Sequence, residues 1–208
     1  MSNTRAPIEL PARILDFCRE ISPEKPAVMA VEPQSFAVPG ECYSNVEEQI
    51  RRAGGSTVYG WQIWDWATVF TEAEFHAVWK APDGSLHDIT PKVDGDKAIV
   101  FLPDPARTYQ GNRIDSIRRP ASANQIVGDF IRLCEANFRR FGQTPNGATL
   151  EGRDADLYQS FELARNFMVE VIANGANRNS LCLCGSGDRY KNCHEHNLRR
   201  LIVGLSSM

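Results

Sequence analysis

Near its C-terminus the chain reads Cys182-Leu-Cys184-Gly-Ser-Gly-Asp-Arg-Tyr-Lys-Asn-Cys193-His194. Zinc takes four tetrahedral ligands drawn from thiolate sulfur and imidazole nitrogen, and closed structural sites use sets such as three Cys and one His. Gly185 and Gly187 let the backbone fold back sharply, so that Cys182/Cys184 and Cys193/His194 can reach one ion. A Cys182–Cys184 disulfide is a poor alternative, because so short a loop strains the bond. His196 is a spare imidazole and stays open as a replacement for His194. With all four positions taken by protein, the metal serves structure and leaves no place for water. Catalysis must then be sought upstream.

A thiol nucleophile needs a base to ionise it and a third group to orient that base, and a helix N-terminus helps by favouring the thiolate. Cys42 precedes a helix signal, His76 lies in the strand-like Glu74-Phe75-His76-Ala77-Val78-Trp79, and Asp88 follows in Leu86-His87-Asp88-Ile89-Thr90-Pro91. Between the last two, Ala81-Pro82-Asp83-Gly84-Ser85 is a type I turn pattern closed by a left-handed glycine. That hairpin loop pairs Ala81 with Ser85, Val78 with Asp88 and His76 with Thr90. Opposed residues share a face and alternation has period two. His76 and Asp88 therefore become diagonal neighbours on one face, about 7–8 Å apart at the backbone and within reach of a hydrogen bond. Phe75, Ala77, Trp79 and Ile89 take the other face. His87 falls there too and is read as a bystander.

The elements that must position these groups follow from periodicity. Residues 9–21 read as an amphipathic helix whose stripe is Ile14, Leu15, Phe17, Cys18 and Ile21, which makes Cys18 a core thiol. Ala27–Val31 is a strand, and the Pro-rich loop after it delivers Glu41-Cys42. Ser44-Asn45-Val46-Glu47-Glu48-Gln49 opens a helix that Gly54-Gly55 stops. Strands are predicted at Ser56–Trp64, Ala73–Ala81, Leu86–Pro91 and Ala98–Leu102. Pro103–Asn124 reads as an extended surface loop. Two helices, Gln125–Phe141 and Ala155–Asn174, form a hairpin through Gly142–Gly147, with stripes of Ile126, Phe130, Leu133 and Cys134 and of Leu157, Phe161, Ala164, Met168 and Val171. The expected division is a core over 1–124, a helical hairpin over 125–177 and a metal module over 178–208.

With 208 residues the chain can hold one ordinary domain and a small appendage. No long apolar run could span a bilayer, and no basic-then-apolar leader opens it, so a cytosolic protein is expected. Three of the six cysteines fall in the metal-type cluster, a usage that fits a reducing compartment. The net charge of −3 argues against bulk polyanion binding. Acidic groups exceed basic ones in residues 1–103, and arginine-rich basic groups exceed acidic ones after that. The arginine loop Arg107–Arg119, interleaved with Tyr109, contains Asp115 and is preceded by Asp104, so nucleic acid is not expected as primary ligand.

Two resemblances sharpen these readings. Cys-x-Cys-Gly-Ser-Gly-x-x-Tyr-Lys-x-Cys-His resembles the SEC-C motif, the zinc-binding tail of the bacterial translocase motor SecA, which recurs in many bacterial proteins. It implies structural zinc on Cys182, Cys184, Cys193 and His194 and a protein or ribonucleoprotein partner, not catalysis. A helix-leading Cys followed by His-Ala-Val-Trp and Asp-Ile-Thr-Pro is similar to the transglutaminase-like branch of the papain superfamily. That implies an α+β fold with an antiparallel sheet and an N-terminal Cys-bearing helix. It also implies acyl transfer by Cys42, His76 and Asp88, with Gln34 as a candidate oxyanion donor, as hydrolase, protease, deamidase or transglutaminase-like enzyme. The alternative is a non-catalytic zinc-binding adaptor, with Trp61, Trp64 and Trp66 as interface anchors.

Overall fold

A long hairpin, β2 (Ser56–Trp66) with β3 (Phe70–Lys80), organises the first half of the computed structural model, which describes residues 4–7, 9–145 and 148–207. Its register sets Tyr59, Trp61 and Ile63 on one face with Ala73, Phe75 and Ala77. Val58, Gly60 and Gln62 lie on the other with His76 and Val78. β5 (Ala98–Pro103) pairs antiparallel with the free edge of β2, and β1 (Ala27–Ala30) pairs with β5. β4 (Leu86–His87) and β6 (Ile117–Pro120) both pair with β3. A bridge between Val31 and Asp88 brings the two ends of the order β1-β5-β2-β3-β4 together, so the antiparallel sheet curls into a near-barrel.

Each face has its own core. The outer face receives α1 (Ala12–Ile21), whose Ile14, Phe17 and Cys18 pack against Trp61, Ile63, Phe75, Val100 and Leu102. Each such apolar side chain contributes about 1.5–3 kcal/mol on burial. Trp61 is fully buried and donates Nε1–H to Asp104 at 2.9 Å, so it is core and not one of the interface anchors expected of an adaptor. α2 (Cys42–Ala53) packs Cys42 and Val46 with Ala77 and Ile89. The inner face holds Val31, Val78, Ile99 and Phe101. Gly60 sits there opposite His76, where a Cβ would lie 2.3 Å from the Leu102 carbonyl oxygen, so no side chain fits.

The structure departs from the sequence expectation at the strand ends. β2 and β3 run on to Trp66 and back to Phe70, closed by a turn in which Thr68 takes a φ of 68°. β4 stops at His87 and does not reach Pro91, because the next residues bond to the β1 side: the Glu32 N–H donates to the Asp88 carbonyl at 2.7 Å and the Gln34 N–H to that of Ile89 at 3.2 Å. The stretch read as an extended loop contains β6, where Arg118 pairs with Glu72 at 2.8 Å.

Residues 120–208 form a second compact unit. α3 (Gln125–Phe141) starts at its Asn124 cap, whose side chain accepts the Ile126 N–H at 3.1 Å. α4 (Gly152–Ala173) begins one turn earlier than Ala155, and residues 146 and 147 of the connecting loop lie outside the described residues. α5 (His194–Ser206), which the sequence reading did not anticipate, buries Leu198 and Leu205, and α3 packs against both α4 and α5. Among the described residues no helix is long and apolar enough to cross a membrane.

Candidate functional site

The C-terminal cluster is built almost entirely from local backbone. The Cys182 N–H donates to the Asp188 carbonyl at 2.8 Å, and Leu181 bridges Arg189 in antiparallel fashion. Gly185 and Gly187 take the left-handed φ values of 78° and 81° that this knuckle needs. Cys193 caps α5 and His194 opens it. His194 Nδ1 lies 3.1 Å from Cys182 Sγ and 3.2 Å from Cys193 Sγ, and Cys184 Sγ is 3.5 Å from Cys193 Sγ. All four donor atoms fall within 4.8 Å of one another. Three sulfurs and one imidazole nitrogen so gathered can hold a metal ion, and the donor set fits zinc.

Supporting contacts fix these ligands. The His194 ring stacks on Phe167 of α4 with centroids 4.3 Å apart, which orients the imidazole. The Ser186 hydroxyl and backbone N–H bring the Cys184 thiol down to about 7, whereas burial pushes that of Cys182 up to about 11. Buried Glu195 accepts from Arg178 Nε at 3.1 Å and Nη2 at 3.0 Å, and from Arg199, so the two ends of the knuckle are tied together.

The second cluster draws on three separated elements. Cys42 is the first residue of α2, and the loop before it is clamped by buried Asn45. That side chain accepts the Val38 N–H at 2.9 Å and donates to the Val38 carbonyl at 2.8 Å and to Thr90 Oγ1 at 3.2 Å. The turn closes as its sequence suggests: the Ala81 N–H donates to the Ser85 carbonyl at 2.9 Å, with Lys80 opposite Leu86 and Trp79 opposite His87. His76 Nε2 lies 3.3 Å from Asp88 Oδ1, with Asp88 fully buried and His76 6% exposed. Cys42 is 7% exposed, so these groups sit under cover and not in an open cleft. His87 is elsewhere engaged, with Nδ1 2.7 Å from Glu32 and Nε2 2.8 Å from Ser85. Gln34 is exposed and joins the site only through its backbone.

Electrostatics couple the three groups. Burial opposes charge on the imidazole, but the charge of the neighbouring Cys42 sulfur and the contact with Asp88 outweigh it. His76 is thereby raised to about 9, with the Lys92 ammonium pulling the other way. Burial would raise the Asp88 carboxyl, yet His76 and Lys92 bring it below the ordinary value. Such an arrangement can hold a thiolate beside an imidazolium and pass that proton to a leaving group.

Two members of this cluster escaped the sequence reading. Lys92 Nζ sits 2.7 Å from Asp88 Oδ2 and 2.9 Å from Gln62 Oε1. The signal for Gln62 was available, as a polar residue in the aromatic run Tyr59–Trp64 on the face of His76. Lys92 gave none, since surface lysines are common.

Residues 178–195 match the SEC-C motif family. Comparison with curated proteins and with solved structures found no match to either. That match covers the C-terminal knuckle alone, and the Cys42 cluster rests on its own geometry.

Proposed function

We propose that this chain is a cysteine-dependent acyl-transfer enzyme carrying a SEC-C zinc module. The observation that carries the reading is the meeting of Cys42, buried His76 and buried Asp88 from three separate elements, with the imidazole favoured in its charged form. The Cys42 thiolate attacks an amide, ester or thioester carbonyl, and the His76 imidazolium protonates the leaving group. Asp88 holds Nε2 and so keeps the ring aimed at the sulfur. Water or an amine, deprotonated by His76, then releases the acyl group from Cys42. The pre-Cys loop, exposed over Glu32–Ser35 and Val38–Gly40, is the segment that must admit substrate.

In this reading zinc holds the 178–195 knuckle in shape, and the knuckle docks a protein or ribonucleoprotein partner. Exposed Leu181 and Leu183, flanking Cys182, support such a contact. The test is an activated acyl ester offered to the intact chain and to Cys42→Ala, read by mass spectrometry of the peptides. An acyl adduct on Cys42 that disappears in His76→Gln supports the reading. No adduct at Cys42, or one retained in His76→Gln, overturns it.

A further inference from the structure

We infer that Lys92 is a positioning residue of the Cys42–His76–Asp88 site, its ammonium pairing with the Asp88 carboxylate and opposing protonation of His76. The inference rests on the acyl-transfer reading for its purpose, though not for its test. An ammonium offers three N–H donors and no acceptor. The polar atoms about Lys92 Nζ are Asp88 Oδ2 at 2.7 Å, Gln62 Oε1 at 2.9 Å and His76 Nε2 at 3.4 Å. Its side chain is 8% exposed, so solvent screens it little. A turn fixes its backbone, the Gly95 N–H donating to the Lys92 carbonyl at 3.1 Å.

The consequence lies at one nitrogen. His76 Nε2 stands between Asp88 Oδ1 at 3.3 Å and Lys92 Nζ at 3.4 Å. Protonated, Nε2–H donates to Asp88, and the lysine N–H must turn away from a like charge. Unprotonated at that atom, Nε2 accepts from Lys92. The two charge states therefore use different partners, and Lys92 favours the neutral ring. Cys42 and Asp88 press the other way, and the Phe101 ring, its centroid 6.4 Å from that of His76, adds no charge. Without Lys92 the imidazole would stay charged to a higher pH, with Asp88 left to hold Nε2. Gln62 shows how firmly the lysine is held. Its amide turns oxygen to Lys92 although Nε2 is then buried with no partner.

The test follows His76 by NMR titration of labelled imidazoles in the full chain, with Cys42→Ser as the parent so that no thiolate is coupled to the ring. Lys92→Met should raise the His76 midpoint by about one unit, the effect of losing a like charge a few ångströms away. Lys92→Arg should keep it near the parent. An unchanged or lowered midpoint in Lys92→Met, or a Lys92→Arg midpoint equal to it, overturns the inference. Should Lys92→Met not fold, Gln62→Met frees the ammonium instead: a raised midpoint supports the role and an unmoved one refutes it. The acyl-adduct experiment on unmodified Cys42 stands apart, so the enzyme reading can fail while Lys92 is still found to govern His76.

Discussion

The cluster at 182–194 and the cluster of Cys42, His76 and Asp88 use the same side-chain chemistry under opposite conditions. The first gathers three thiols and an imidazole within one knuckle, with Cys184 exposed and glycines supplying the turn. The second brings one thiol, one imidazole and one carboxylate together from α2, β3 and the residue after β4, all nearly shut off from solvent. A metal replaces missing packing in the first. In the second, packing and a Lys92–Asp88 ion pair hold charges that would otherwise repel or desolvate at a cost. Local spacing suffices to build a metal site, while a buried cluster of charged groups needs the whole sheet around it.

That contrast can be broken by experiment. Stripping the metal should have the largest effect, since zinc binding by such knuckles is worth roughly 10–16 kcal/mol. A strong chelator should abolish hydrogen-exchange protection of amides in 178–195 and leave the β2–β3 amides protected. Loss of both would mean that the sheet depends on the metal too. Next, Asp88→Ala leaves Lys92 buried without its carboxylate and should cost about 3–5 kcal/mol in urea unfolding, with metal content unchanged. Glu195→Gln removes the charged acceptor of Arg178 and Arg199, both partly exposed, and should cost about 1–3 kcal/mol, read as weaker metal retention.

A further effect is a pH slope. His76 is raised in the folded chain from 6.5 to about 9, so its contribution is complete below the unfolded value and fades as pH climbs to the folded one. Unfolding free energy measured from pH 6.5 to 9 should therefore decline more steeply in the native protein than in His76→Gln. Parallel curves would show that the imidazole is not held charged.

How legible each region was follows from the same contrast. The knuckle could be read because its ligands and glycines are consecutive. α5 was missed because its apolar positions, Leu198, Leu201, Ile202 and Leu205, follow directly on the ligands with no cap signal of the usual kind. The His76–Asp88 contact was legible through one turn, whose Pro-Asp-Gly pattern fixes the register. The end of β2 was not, because Ala67-Thr68-Val69 turns without glycine or proline and puts Thr68 in the left-handed region. Nor was the early end of β4, since curling of the sheet transfers Asp88 and Ile89 to the neighbourhood of Val31. Closure of a sheet is a long-range event, and alternation along one strand carries no trace of it.

The most direct measurement is the alkylation of Cys42 by iodoacetamide at neutral pH, followed by peptide mass spectrometry in the native chain and in His76→Gln. Cys18 serves as the internal reference, fully buried and with its thiol pushed up to about 11 by burial. The account predicts that Cys42 reacts at least an order of magnitude faster in the native chain than in His76→Gln, while Cys18 stays unmodified in both. Equal rates at Cys42 in the two proteins would contradict it.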